Sequence, residues 1–260
     1  MSFRKLVLCL VVGLPTGSVA KAGGKDDLYS SRTIVTGTRE VTRAPGLREC
    51  LKRVLVRVSG DQRLLQRPQL EDVLGRAGNL VRTVSYQDRL AGVPVHDEQG
   101  TYDRPHNLIC DYDRPEVDRV LGDLGSRPWL GPRPVLAVLL EVQRGGDRYW
   151  VDRDGVRDQA MREAFMLAAD QMAMEIVFPS VGDLDLAGLS SHDLATKAGA
   201  DIPLAGALVW SDAALGWIVR WTLRDDVRTH CWQAQGVNFD EAFRVGMRGA
   251  AQILSGNGDP

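Results

Sequence analysis

The 260-residue sequence lacks the short motifs that mark the common enzyme families. It contains no Gly-x-Ser-x-Gly nucleophile turn, no Gly-x-Gly-x-x-Gly dinucleotide loop and no phosphate-binding loop. No two histidines stand at the four-residue spacing of a helical metal pair. The histidines are His96, His106, His192 and His230. These absences predict no metal site and no cofactor, and they favour a non-enzymatic protein.

The sequence also lacks an apolar run that could span a bilayer. A transmembrane helix needs about 20 such residues, and the charge-free run at residues 6–14 is about half that length. This run follows Arg4 and Lys5 and precedes small residues at Ala20 and Ala22, which is the order of a secretory signal peptide. We therefore expect cleavage after Ala22, export to the periplasm, and no integral membrane segment.

The charge balance of the exported part is mildly acidic. Removal of residues 1–22 takes away three basic side chains and no acidic one, so the formal net charge changes from −2 to −5. A bulk charge of this sign argues against nucleic-acid binding. The densest basic cluster is on one predicted helix and has the pattern of a solvated face: Arg48, Lys52, Arg53 and Arg57. We expect the partner to be an envelope protein or a small ligand.

Cysteine is scarce, and its number becomes odd after export. Cys50, Cys110 and Cys231 remain once the segment that contains Cys9 is removed, so at most one internal disulfide can form. Cys50 lies on the apolar stripe of a predicted helix and Cys110 in an apolar strand, which are common places for buried free thiols. Buried thiols and a single disulfide are both compatible with the pattern. The lack of a Cys-x-x-Cys motif argues against redox catalysis.

Hydrophobic periodicity predicts a mixed α+β or α/β fold in two halves. Residues 23–125 have the pattern β-α-α-β-β-α, with a first strand at 32–42 and a first helix at 45–58. A Pro- and Gly-rich linker at 126–133 precedes residues 134–255, which have the pattern β-α-β-α-β-β-β-α. We expect mixed, largely antiparallel sheets covered by helices.

Three local patterns add detail to this prediction. Apolar and polar side chains alternate along the predicted strand at 216–223, which places its tryptophans in the core. Asn238 has the position of a helix N-cap before the last predicted helix. Residues 23–30 and the tail from Ser255 have compositions typical of disordered chain.

Several features recur in the order expected for a known family. They are Leu55-Val-Arg-Val-Ser-Gly60 at the end of the first predicted helix, Trp129 with Arg133-Pro134 before an apolar strand, Ile176-Val-Phe-Pro179 followed by Asp183 and Asp185, and strands with Trp210, Trp221 and Trp232. In these features the chain resembles a family of secreted bacterial proteins known as domain of unknown function 2066. The resemblance implies an exported bacterial protein over nearly the whole exported part, and it assigns no activity to any residue.

Two pairs of residues are the candidate binding positions. Asp183 and Asp185 follow a proline-stopped strand, where α/β proteins often place ligand groups, although a solvated turn has the same pattern. Trp129 and Arg133 lie in the linker, where a partly exposed tryptophan would suit a partner or a small ligand.

We expect an exported, non-enzymatic binding or assembly module of the cell envelope. The alternative is a periplasmic enzyme, such as a hydrolase, whose site combines Asp183 and Asp185 with a histidine such as His192. A pocket that joins these acids to a histidine would favour the enzyme.

Overall fold

The computed structural model describes residues 28–93, 103–184, 188–225 and 227–260. The predicted signal peptide with its cut after Ala22 lies outside these residues, and so do His96 and Asp185. Among the described residues, no helix combines the length and the apolar character that crossing a membrane requires.

The described residues form nine strands and eight helices. The strands are β1 (Ser30–Thr36), β2 (Val81–Asp88), β3 (Pro105–Tyr112), β4 (Leu136–Arg144), β5 (Asp147–Trp150), β6 (Ile176–Val177), β7 (Ile202–Ser211), β8 (Gly216–Arg224) and β9 (Thr229–Val237). The helices are α1 (Glu40–Ser59), α2 (Leu70–Gly75), α3 (Ala77–Leu80), α4 (Arg114–Asp123), α5 (Gln159–Gln171), α6 (Val181–Leu184), α7 (Ser191–Lys197) and α8 (Phe239–Leu254), with a 3₁₀ turn at Gln62–Gln66. This is the α+β class that the periodicity predicts.

The first half contains an antiparallel three-stranded sheet in the order β1-β3-β2. The apolar stripe of α1, which includes Leu47 and Leu51, packs on the side chains of β3 that point to the same face. Tyr29 is buried in this core, and its hydroxyl donates to Asp118 at 2.7 Å. The predicted disorder of residues 23–30 is therefore wrong at Tyr29, because an aromatic ring there has a core to enter.

The second half contains a mixed sheet in the order β5-β4-β7-β8-β9. β4 pairs in parallel with β7 and with the short β6, whereas β5, β8 and β9 are antiparallel to their neighbours. α5 and α8 pack together over an aromatic core formed by Phe165, Trp221 and Phe243. α7 packs against β4 and β7.

Trp221 lies at the centre of the second core and depends on two glycines. Gly206 faces it from the neighbouring strand and Gly246 from α8, and a Cβ atom at either position would overlap the indole ring. The indole N–H donates to the main-chain oxygen of Ala242 at 3.1 Å, so the buried polar atom is satisfied. The prediction that the alternation in this strand places tryptophans in the core is confirmed.

The first helix begins earlier than the periodicity predicts. β1 ends at Thr36, and Gly37 follows with a left-handed φ of 73°, so the strand predicted at 32–42 is too long at its C-terminal end. α1 begins at Glu40, and Pro45 lies inside the helix. Because proline is common in the first turn of a helix, the sequence predicts a start at Pro45, five residues after the observed one.

The C-terminal tail is ordered, and the prediction of disorder from Ser255 onward is wrong. The main-chain N–H of Asn257 donates to Gln252, and its side chain donates to Ser59 of the first half at 3.0 Å. Asp259 pairs with His230 of β9. Composition does not predict this ordered tail because Ser59 and His230, which contact it, are distant in the sequence.

The packing of Trp221 predicts that Gly206→Ala lowers the free energy of unfolding by about 1–3 kcal/mol, since the added methyl group overlaps the ring. Gly75→Ala is the control, because open space surrounds this helical position, and it should raise stability by up to about 1 kcal/mol. Urea unfolding measures both values. Equal stability of the Gly206→Ala variant and the wild type would contradict the described packing.

Candidate functional site

The structure brings together the two candidates of the linker, Trp129 and Arg133. The guanidinium carbon of Arg133 is 4.2 Å from the centroid of the Trp129 ring, which is a cation–π contact. Trp129 is half-buried and packs against the core of the second half. Burial lowers the pKa of Arg133 to about 10, and repulsion from Arg57 adds to this, so the guanidinium stays charged at neutral pH. The described contacts of this pair are internal, and its role in binding stays a prediction.

The linker and the tail complete the C-terminal end of α1. The last four carbonyl oxygens of a helix have no amide partner within it. At the end of α1 each of these oxygens accepts one hydrogen bond. The main-chain N–H of Gly60 donates to Val56 at 2.7 Å, and that of Trp129 donates to Val58 at 2.8 Å. The guanidinium of Arg133 donates to Arg57 at 2.8 Å, and the side-chain amide of Asn257 donates to Ser59 at 3.0 Å. Arg133 also donates to the main-chain oxygen of Met172, just after α5. This cluster of hydrogen bonds therefore joins the two halves.

Asp183 lies apart from the linker candidates, in the short helix α6. The hydroxyl of Ser180 donates to its carboxylate at 2.6 Å, and the N–H of Asp183 donates back to that hydroxyl oxygen at 3.3 Å. Lys197 of α7 is 3.9 Å from the same carboxylate. The Ser180 hydrogen bond and the nearby cations hold the pKa of Asp183 below its usual range. This arrangement is a helix cap with a neighbouring cation.

A cleft of about 980 Å³ lies beside the first turn of α7. His192 and Asp225 are on its wall, whereas Asp183 is not among the described residues that line it. Ser190, also on the wall, accepts from the N–H of Asp193 at 3.2 Å and so caps α7. The cleft therefore gives no geometric support to a hydrolytic site that combines Asp183 with His192. Within the described residues, no three His, Cys, Asp or Glu side chains converge as a metal site requires.

A buried histidine with two carboxylates lies at the start of β9, and no local sequence pattern predicts it. The ring nitrogens of His230 are 2.8 Å from Asp225 and 2.5 Å from Asp259. Because ionised carboxylates only accept, this geometry favours the doubly protonated, cationic imidazole. The hydrogen bond with Asp225 raises the pKa of His230. The pKa of Asp225 is lowered to about 2, chiefly because its carboxylate accepts a hydrogen bond from the main-chain N–H of Arg228 and, as the second cause, one from the His230 ring.

A groove of about 550 Å³ separates the surfaces of the two halves, and we call it the inter-half groove. α1, β1 and the 3₁₀ turn form one wall, and α5 and α8 form the other. Its basic lining residues are Arg32, Lys52, Arg53, Arg57, Arg244 and Arg248, and its acidic ones are Glu49, Glu71 and Asp170. The basic cluster that the sequence placed on a solvated helix face thus lies largely on one wall of this groove.

Ion pairs neutralise only part of the positive charge in the inter-half groove. Arg53 pairs with Glu49 at 2.9 Å. Arg244 and Arg248 share the carboxylate of Glu241, a residue of the same helix. Lys52 and Arg32 have no carboxylate within ion-pair distance among the described residues. The groove therefore keeps positive charge on a protein whose net charge is negative.

Apolar side chains from both halves meet in the same groove. Leu65 of the 3₁₀ turn is 45% exposed and Leu167 of α5 is 58% exposed. Val56 and Met172 form the buried floor between them. Charged rims around a small apolar centre are typical of recognition surfaces.

The His230 cluster predicts a pH-dependent contribution to stability. A raised histidine pKa stabilises the fold fully below the ordinary value of 6.5, and this term is lost as the pH rises through the folded-state pKa. The lowered pKa of Asp225 stabilises the fold above the ordinary value of 3.8, and that term is lost as the pH falls towards about 2. Both stabilising contributions are therefore fully present between pH 3.8 and pH 6.5.

We expect His230→Ala to lower the free energy of unfolding by about 2–3 kcal/mol at pH 5.5. His192→Ala, at an exposed position of α7, is the control and should change it by less than about 0.5 kcal/mol. Urea unfolding at pH 5.5 and pH 9 tests the sign, because the difference between the wild type and His230→Ala should narrow at pH 9. A difference that does not depend on pH would contradict the charged imidazole.

Comparison with known proteins identifies similarity in the first half. A family model described as Domain of unknown function (DUF8605) matches residues 22–130. Neither the curated proteins nor the solved structures yield a match to this chain. Over residues 22–130 the chain is thus similar to an uncharacterised domain, which agrees with the expectation of a domain without assigned activity.

Proposed function

We propose that the chain is a non-enzymatic binding module, and that its inter-half groove binds an acidic, amphipathic segment of a partner protein. One observation carries the proposal. Six basic side chains and two exposed leucines, contributed by elements from both halves, surround the same groove. A segment with carboxylates and aliphatic side chains would match both features.

Charge complementarity supports an acidic occupant. The lining contains six basic and three acidic residues, whereas the whole sequence carries a net charge of −2. Complementary charge steers encounter and rejects partners of the wrong sign. Lys52 is the most informative of these residues, because among the described residues it has no internal carboxylate to pair with.

The exposure of the charged residues favours a protein segment over a small molecule. Small-ligand pockets usually surround the ligand with apolar walls and a few convergent buried polar groups. In the inter-half groove the charged side chains are instead partly or fully exposed, with Arg53 at 43% and Glu71 at 67%. Arginine-rich rims around aliphatic contacts are common between proteins.

The proposal includes the cellular location and the family suggested by the sequence. The basic and apolar N-terminal segment supports export to the periplasm and a role with another envelope protein. The resemblance to domain of unknown function 2066 supports a bacterial origin. Each of these is part of the proposal.

The internal contacts of Asp183 give no support to the hydrolytic alternative. Ser180 and Lys197 both contact its carboxylate, so the group has structural partners at the cap of α6. A hydrolytic alternative would require that carboxylate to lie in a cleft with a histidine.

Photo-crosslinking from the groove tests the proposed function. A benzophenone side chain in place of Leu167, in the chain expressed with its N-terminal segment in a bacterial cell, should give adducts on a partner protein. Mass spectrometry should show crosslinked segments with net negative charge and aliphatic residues. The same side chain at Leu215, an 86% exposed position in the turn between β7 and β8, should not give these adducts.

Charge reversal provides the matched comparison. Lys52→Glu should lower the yield of the adduct by about threefold to tenfold, since a complementary charge becomes a repelling one. Arg220→Glu makes the same change in net charge at an exposed position of β8 away from the groove, and it should leave the yield unchanged. Basic crosslinked segments, adducts only on lipid, or equal yields from the two variants would overturn the proposal.

A further inference from the structure

Two of the cysteines meet in the core of the first half. Cys50 of α1 and Cys110 of β3 are both fully buried. The sulfur of Cys50 is 3.8 Å from the main-chain oxygen of Ser31, and Ser31 is the residue directly opposite Cys110 in the β1–β3 pairing. The same sulfur is 4.0 Å from the main-chain oxygen of Leu108, whose side chain lies on the same buried face as Cys110. Cys50 therefore packs on the part of the sheet that contains Cys110.

The third cysteine of the exported part lies elsewhere. Cys231 is exposed on β9 in the second half, with its sulfur 3.8 Å from the hydroxyl oxygen of Thr222. Its strand belongs to a different sheet and a different core from those of Cys50 and Cys110. All three are thiols in this structure, and of the three possible pairings only Cys50–Cys110 joins two cysteines of the same core.

We propose that Cys50 and Cys110 form a disulfide that fixes α1 to the sheet of the first half, and that Cys231 stays a free thiol. The bond would join the helix that carries one wall of the inter-half groove to the central strand beneath it. It restricts the unfolded chain by closing the long segment between the two residues. The inference is independent of what the groove binds.

The chemistry is a thiol–disulfide exchange with an external disulfide as the oxidant. The Cys50 thiolate attacks one sulfur of that disulfide, which forms a mixed disulfide and releases one thiolate. The Cys110 sulfur, after loss of its proton, then attacks the Cys50 sulfur and releases the second thiolate. Two cysteine thiols are oxidised, the external disulfide is reduced to two thiols, and both protons pass to those thiolates.

Burial determines when the bond can form. In the folded chain neither sulfur is accessible to an oxidant, since both residues have 0% exposure. Oxidation therefore has to occur while α1 is still docking onto the sheet. Once closed, the bond is shielded from reductants, as structural disulfides are.

Refolding of the full chain tests this inference. The reduced, unfolded chain is refolded in a mixture of glutathione disulfide and glutathione, alkylated and digested. We expect a linked peptide pair that contains Cys50 and Cys110, with Cys231 recovered as the alkylated thiol. The Cys231→Ser variant should give the same linked pair. Recovery of both Cys50 and Cys110 as alkylated thiols, or a link from either of them to Cys231, would overturn the proposal.

Thermal unfolding provides a second reading that does not depend on peptide recovery. Wild type refolded in reductant throughout should melt about 5–15 °C below wild type refolded with glutathione disulfide, and Cys231→Ser should show the same difference. Cys110→Ser should show no such difference between the two refolding conditions, whatever the burial of its hydroxyl costs in stability. If the two wild-type preparations melt at the same temperature, the disulfide is absent and the proposal fails.

Discussion

The C-terminal end of α1 is the constraint on which the arrangement of the two halves depends. A helix that ends in the interior leaves carbonyl oxygens whose burial is costly unless a donor reaches them. Here the donors come from the linker, through Trp129 and Arg133, and from the tail, through Asn257. Arg133 is the central member because its guanidinium also reaches the end of α5. The negative end of the helix dipole adds a favourable interaction with this partly buried cation.

The inter-half groove is a consequence of this junction. The hydrogen bonds hold α1 beside α5 and α8. The basic face of α1 consequently faces Leu167 and the arginines of α8 on the opposite wall of the groove. Neither half contains the complete set of charged and apolar groups. The tail adds a further tie, since Asn257 contacts the first half and Asp259 contacts His230 of the second.

The sequence predicts the local features of this fold and misses the distant ones. Alternation along β8 and the Asn238 cap depend on neighbouring residues, so the pattern contains them, and the N–H of Glu241 donates to Asn238 at 2.8 Å as expected. Lys52 and Leu167 line the same groove although they are far apart in the chain. The tail is likewise held by residues distant in the sequence, such as Ser59. Single-sequence patterns contain no signal for such pairs. Composition predicts the linker that contains Trp129 and Arg133, but it carries no information on their contacts with the end of α1.

The calorimetric unfolding of Arg133→Met tests the central claim most directly. Methionine keeps much of the apolar stem but supplies no donor to the oxygens of Arg57 and Met172. We expect one cooperative transition for the wild type, and for Arg133→Met a lower melting temperature with the two halves unfolding in separate transitions. A single transition at the wild-type temperature would contradict the claim that this guanidinium joins the halves.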